Sequence, residues 1–341
     1  MKEIVNLQKK IIPEMIEILE KRYNILRSIY YNEPIGRRTI AARLDIGERV
    51  VRTEVNVLKK QGLLEIKSSG MHITEEGKEL IDQLKEFMHA LKDLNTLEEK
   101  LEKKLNIKKV IIVPGSYDED EHVIKDIGKR AAKFISDIVK NGNIIGVTGG
   151  TTMANVVEEI PPLKDKKDVL VLPARGGLGK YVETQSNNIA AKLAQRLGGK
   201  YKLLHVPDNI GKEALETLLQ VPEINNVIKT IKNINVLVFG IGRADVMAKR
   251  RKLRKEVIDK LMERGAVAEA FGYYFNTEGK KVWESSTVGL SLCDFKEIDT
   301  VIGVAGGTTK AEAIIAISTL RNDMTLITDE GAAKKILSIV N

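Results

Sequence analysis

From about residue 108 to the end, short apolar runs alternate with glycine turns and helical periodicities. No other feature constrains the fold of this chain as tightly. The runs include Val110–Val113, Ile144–Val147, Val169–Leu172, Val236–Phe239, Val301–Val304 and Thr325–Ile327. Strands that alternate with helices read as a sheet built by crossover connections. The expected fold class is α/β, with a doubly wound, Rossmann-like, mainly parallel sheet over residues 108–341.

The first hundred residues have a different texture. Residues 7–31 carry Ile11, Met15, Ile18, Tyr23, Leu26 and Ile29 at roughly helical spacing, and Pro34-Ile35-Gly36 ends that helix. A short helix over Arg37–Leu44, a turn at Asp45-Ile46-Gly47 and a second helix over Glu48–Gln61 follow. Two alternating runs about Ser68-Ser69-Gly70 then read as a hairpin. Helix, turn, helix, hairpin is the order of a winged helix-turn-helix, expected over residues 1–75. Thr74, followed by Glu75 and Glu76, is placed to cap the next helix. In that helix, over a linker of residues 76–107, Leu80, Phe87, Leu94 and Leu101 lie seven apart. Leu84, Leu91 and Leu105 fill the intervening positions, with Glu98 the one break. The pattern predicts a coiled-coil-like oligomerisation helix; the plainer alternative is a stripe packed on its own domain.

Charge marks the nucleic-acid candidate. The net charge is +8, and residues 34–67 hold eight basic and four acidic side chains, half of that excess in a tenth of the chain. On the second helix Val51, Val55 and Leu58 share one side. Arg49, Arg52, Thr53, Asn56 and Lys60 share the other, and Arg and Asn are the types that read guanine and adenine edges. Arg37 and Arg38, at the start of the preceding helix, are placed to hold phosphates. A merely solvated charged face is the plainer alternative. The turn, the wing and the local charge together favour DNA.

Two turns repeat one motif after a strand and before a helix: Gly149-Gly150-Thr151-Thr152 and Gly306-Gly307-Thr308-Thr309, the latter followed by Lys310. Glycines let a backbone approach an anion closely, and the amides of the first turn point at it. Neither turn has the spacing of a P-loop, and Gly240-Ile241-Gly242 lacks the third glycine of a dinucleotide fingerprint. Arg175, just after a strand, is expected at the carboxyl edge of the sheet, where open α/β sheets bind ligands. The run Lys249–Lys255, with Arg250 and Arg251, is either a solvated loop or a second anion clamp. Two anion sites would favour a ligand with two phosphates.

Catalytic and metal chemistry is poorly represented. Neither HExxH nor GxSxG occurs. Asp329 and Glu330 could act as acid and base, though such a pair more often caps a helix. One cysteine, Cys293, excludes a disulfide framework and Cys-rich zinc modules; no metal and no cofactor are expected. With 341 residues, 43% of them hydrophobic, the chain has room for two cores. Charges at Lys2, Glu3, Lys9 and Lys10 interrupt any signal core, and no apolar run reaches the length of a membrane span. A soluble, cytoplasmic protein without membrane contact is expected.

Taken together, Pro34–Arg38, Arg49–Glu54, Val147–Thr152, Pro173–Gly179, Glu269–Asn276 and Thr328–Lys335 resemble the SorC family of sugar-responsive bacterial transcription factors along essentially the whole chain. The resemblance implies a repressor of a glycolytic, triose-phosphate operon. It also implies a sensor domain with the fold of glucosamine-6-phosphate deaminase and ribose-5-phosphate isomerase, an inducer, fructose-1,6-bisphosphate, and a homo-oligomer, dimer or tetramer, on operator DNA. It places one phosphate on Gly149–Thr152 with Lys310 and the second on Arg175 with Arg250 and Arg251. Gln185 and Glu269 would hold sugar hydroxyls. Gly47 stands where a Ser would often cap the recognition helix, a small departure. Two alternatives remain at this stage: a sugar-phosphate isomerase or deaminase carrying an accessory DNA-binding domain, and a regulator of the same build that senses another phosphosugar.

Overall fold

The computed structural model describes residues 7–8, 10–163, 168–176, 181–206, 212–285 and 288–340. The chain forms two compact units, Met1–Thr96 and Leu97–Asn341.

In the first unit the helix Pro13–Asn32 is followed by helices Arg37–Arg43 and Glu48–Lys60 and by strands β1 (Leu64–Lys67) and β2 (Gly70–Ile73). The strands pair antiparallel, Leu64 opposite Ile73 and Lys67 opposite Gly70, and Ile35 adds a single bridge to Met71. Leu26, Ile29, Ile40, Val51, Val55 and Leu58 fill the core between them. Gly47 caps the helix Glu48–Lys60 without a side chain, as its identity requires. Thr74 caps the helix Glu75–Leu91 by accepting from Gly77 N–H at 3.1 Å.

Two expected helices are interrupted. The first continuous helix stops at Ile12, whose backbone leaves the helical region (φ −137°, ψ 66°), because Pro13 restricts the residue before it and supplies no N–H. Its expected stripe divides there: Ile11, Met15 and Ile18 are exposed, whereas Tyr23, Leu26 and Ile29 are buried. The heptad seam divides as well, into helices Glu75–Leu91 and Leu94–Leu105, at an Asp93 with φ +51°. Ile81, Met88 and Leu91 are buried in the core of the first unit, and Leu80, Leu84 and Phe87 pack against it. The first three heptad leucines therefore serve their own domain, and no continuous coiled-coil helix runs through the linker.

Among the described residues the second unit is built on seven parallel strands: β3 (Lys109–Val113), β4 (Ile144–Val147), β5 (Leu170–Pro173), β6 (Lys200–Tyr201), β7 (Val236–Gly240), β12 (Thr300–Val304) and β13 (Thr325–Asp329). Their spatial order is β3-β13-β12-β7-β4-β5-β6. Every pairing is parallel. The strands are apolar on consecutive positions because both faces are covered. Ile145, Val147, Val236, Val238, Ile302 and Val304 pack into one core with the helices Val123–Ile138, Thr151–Glu159 and Ser186–Leu197. Leu237, Phe239, Val301 and Leu326, at the alternate positions, are equally buried, and Phe239 meets Phe271 and Phe295. A second, antiparallel sheet has the order β11-β10-β9-β8, from β8 (Gly242–Arg243), β9 (Ala266–Ala270), β10 (Tyr273–Asn276) and β11 (Lys281–Glu284).

The edge strand β3 is closed from outside by the helix Leu94–Leu105. Ile112 N–H donates to Glu98 Oε1 at 2.7 Å and Val110 N–H to Glu102 Oε1 at 2.9 Å. Residues i and i+2 of a strand present their amides to one edge about 7 Å apart, close to the 6 Å rise between i and i+4 of a helix. Glu98, the break in the leucine pattern, is one of the two groups that make this fit.

Candidate functional site

On the helix Glu48–Lys60, Val51, Val55 and Leu58 are 0–2% exposed, and Arg49, Arg52, Thr53, Asn56 and Lys60 all stand exposed on the other side. Thr53 is partly engaged, its hydroxyl donating to Arg49 carbonyl at 3.0 Å. Arg37 is half-buried at the start of the preceding helix and Arg38 is exposed. Glu48 lies between two of the basic groups, 3.4 Å from Arg38 and 4.0 Å from Arg52. The carboxylate partly neutralises both arginines.

In the second unit all seven strands run the same way, so the turns that follow them gather at one edge. The chain leaves β4 towards β5 and β6 on one side, while β7, β12 and β13 lie on the other. The gap between β4 and β7 is the point where such a sheet opens a crevice. Gly149–Thr152 follows β4, and Arg175 follows β5.

The segment Thr184–Ser186 ties these turns together. Thr184 carbonyl accepts from Gly150 N–H at 2.9 Å, and a Cβ on Gly149 would lie 2.8 Å from that same carbonyl oxygen. Thr184 Oγ1 accepts from Arg250 at 3.2 Å, and Ser186 Oγ donates to Arg175 carbonyl at 3.1 Å. Gln185, between them, precedes the first residue of the helix Ser186–Leu197. At the helix Thr151–Glu159 the cap is Gly150 (φ +120°), which offers no side-chain acceptor. Among the described residues nothing caps the first-turn amides of Thr151 and Thr152.

Arg175, Arg251 and Glu269 form a buried cluster. Arg251 Nη2 donates to Glu269 Oε1 at 2.6 Å and its Nη1 to Ser285 Oγ at 3.2 Å. The same Glu269 oxygen accepts from Gly272 N–H at 2.7 Å and lies 3.7 Å from Arg175 Nη1. Both Arg175 and Glu269 are nearly excluded from water, at 6% and 4% exposure. Arg175 and Arg251 both face the Glu269 carboxylate out of water, and guanidinium groups are strong partners for an anion. A cavity of about 110 Å³ opens there, lined by Arg175, Gly272, Tyr273, Glu284, Ser285 and Gly289. Glu269 is thus first the counter-ion of two arginines. Gly177, Leu178 and Gly179 of the turn after Arg175 lie outside the described residues.

The second glycine turn differs from the first. Gly307 N–H donates to Asp329 at 3.1 and 3.2 Å, and Thr308 N–H donates to Asp118 Oδ2 at 2.6 Å. Carboxylates of the chain itself occupy the amides that the sequence offered to an anion, so this repeat is not a second open anion turn. Asp329 also accepts from Tyr117 and Ala332 N–H, and Glu330 from Gly115 N–H and Lys334. Both are structural acceptors. Lys310 is half-buried after β12, two strands from β4. Burial holds its pKa below the ordinary lysine value, with Asp329 opposing that shift. No contact among the described residues joins it to the arginine cluster.

Sequence reasoning did not single out Thr184, Ser186, Ser285 or Asp118. Thr184-Gln185-Ser186 before a helix is a legible cap-like signal. Ser285 and Asp118 become visible only once distant segments are brought together.

Comparison with known proteins also divides the chain into two parts, with the boundary at residues 88 and 89. Residues 18–88 match a family described as the CggR N-terminal DNA binding domain, and residues 89–338 one described as "Putative sugar-binding domain". The chain is 43% identical to the central glycolytic genes regulator of Bacillus subtilis (strain 168) over 337 residues, 99% of each protein. It is 42% identical to that of Priestia megaterium over 342 residues, 100% of each. Among solved structures, the "putative SorC family transcriptional regulator" of Enterococcus faecalis aligns with 40% identity and a TM-score of 0.67, over 71% of this chain and 99% of its own. An exposed basic helix on a winged module, joined to an arginine-lined crevice at the edge of a parallel sheet, defines a class: DNA-binding regulators that carry their own sugar sensor. Within that class the chain belongs to the SorC family of transcriptional regulators, and it is not an enzyme. Among the described residues no helix is long and apolar enough to cross a membrane.

Proposed function

We propose that the chain represses a glycolytic operon by binding operator DNA through the helix Glu48–Lys60, and that fructose-1,6-bisphosphate bound in the second unit weakens or remodels that complex. The observation that carries the effector is the pairing of two different anion-seeking features at one sheet edge. The uncapped amides of Thr151 and Thr152 suit one phosphate, with Lys310 in support. The guanidinium groups of Arg175 and Arg251, with Arg250 on the intervening Thr184, suit the other. Gln185, next to Thr184, and Glu269, within the arginine cluster, are the partners for sugar hydroxyls in this reading. The similar regulators from Bacillus subtilis and Priestia megaterium are named for glycolytic genes, which supports the operon. A homo-oligomer, dimer or tetramer, is the form that presents paired recognition helices to two half-sites.

The ligand can act only through its difference in affinity for the two states of the regulator. Fluorescence anisotropy of DNA from upstream of the protein's own gene, titrated with the bisphosphate and with fructose-6-phosphate, tests the reading. A change with the bisphosphate alone, lost in Arg175→Ala, is expected. Tight DNA binding untouched by either sugar would discard the named effector and turn attention to other phosphosugars. Absent DNA binding at low salt would discard the operator.

A further inference from the structure

With the leucines of residues 80–91 buried or packed within the first unit, another apolar surface of that unit is left open. Leu7, Ile11, Ile12, Met15 and Ile18 are 60, 75, 46, 41 and 39% exposed, while Ile16 is turned inward at 7%. Five large aliphatic side chains within twelve residues, gathered about the interruption at Ile12–Pro13, exceed scattered exposure.

The charges flanking them are sorted by sign. Residues 7–12 carry Lys9 and Lys10 and no acid, whereas residues 13–20 carry Glu14, Glu17 and Glu20 and no base. Lys10, Glu14 and Glu17 are exposed. A basic arm followed by an acidic arm, with aliphatic side chains along both, is self-complementary under a two-fold axis, where each copy presents the same patch. An antiparallel crossing near Ile12–Pro13 sets each basic arm against the other copy's acidic arm. A parallel crossing would set lysine on lysine and glutamate on glutamate, which is repulsive. Aliphatic side chains beside three glutamates also repel a nucleic-acid backbone, so the DNA bound by the same unit is not the occupant.

We infer that the segment Leu7–Ile18 is a docking surface for the same segment of a second copy of this chain, packed antiparallel about Ile12–Pro13. This places a self-association contact on the DNA-reading unit, ahead of its helix-turn-helix. It is independent of which sugar the second unit senses.

Disulfide trapping in the full-length protein reads this contact whatever other surfaces hold copies together. In a Cys293→Ser background, Ile12→Cys lies next to the two-fold axis, and Lys140→Cys, exposed on the other unit, gives the background rate of random collision. Ile12→Cys is expected to form cross-linked dimer at least about tenfold faster than Lys140→Cys, because docking raises the effective thiol concentration. Adding Glu14→Lys with Glu17→Lys should slow it about tenfold through like-charge contact. Adding Lys9→Glu with Lys10→Glu to that variant, which exchanges the two arms, should restore the rate. Cross-linking no faster than the background, or an exchanged variant as slow as the singly reversed one, would overturn the inference.

Discussion

At the scale of single residues the sensor unit is governed by charges removed from water. Glu269 accepts from Arg251 and Gly272 with only 4% of its surface exposed. Removing one member of a buried ion pair strands the other, at a cost of about 3–5 kcal/mol. Glu269→Gln should therefore lower the urea-unfolding free energy by about that much, because both arginines lose their shared carboxylate, and adding Arg251→Met should recover part of it. Lys310 behaves in the opposite sense. Its pKa is lowered on folding, chiefly by burial, so below the folded-state pKa the unliganded protein carries an ammonium that would be better solvated unfolded. That penalty is present in full below the folded-state pKa and fades as pH rises through it towards the ordinary lysine range. Lys310→Met should raise the melting temperature of the free protein at pH 7. If the bisphosphate is the effector, as proposed, the variant should also reduce the stabilisation that it gives, both read in one thermal-shift series.

At the scale of elements, the basic helix shows how far a pattern in sequence can be trusted. Its apolar and polar faces were legible because a 3.6-residue period survives any tertiary context, and each residue of both faces lies where the period put it. What could not be read was Glu48, which lies one turn before Arg52 and also reaches Arg38 across the turn. Glu48→Gln should free both arginines and tighten DNA binding by up to about fivefold at low salt, the scale of an exposed ion pair. The anisotropy titration checks this, with the gain shrinking as salt rises. The α/β alternation, the glycine turns and Arg175 at the carboxyl edge were equally legible, being local. The heptad seam misled because the leucine repeat does not say which partner it packs on, and one Asp93 at positive φ ends the helix. The second Gly-Gly-Thr-Thr turn misled for a related reason. Its own stretch of chain matches the first, but Asp118 and Asp329, supplied from 190 and 22 residues away, already hold its amides.

At the scale of the whole molecule, the two units divide between reading DNA and holding a sugar, yet their boundary in sequence is not where the hydrogen bonds put it. By composition the helix Leu94–Leu105 belongs to a linker. By the bonds from Ile112 to Glu98 and from Val110 to Glu102 it is the outer rim of the sheet. A fragment beginning at residue 108 should aggregate during purification, since its first strand would carry unsatisfied amides on an open edge, whereas one beginning at residue 89 should remain monodisperse in gel filtration. Anyone wishing to graft this sensor onto a different output module must therefore carry the helix along. The portable part of the protein is longer than its strands and helices of textureless α/β alternation suggest, and its natural suture lies at the Lys92–Asp93 break.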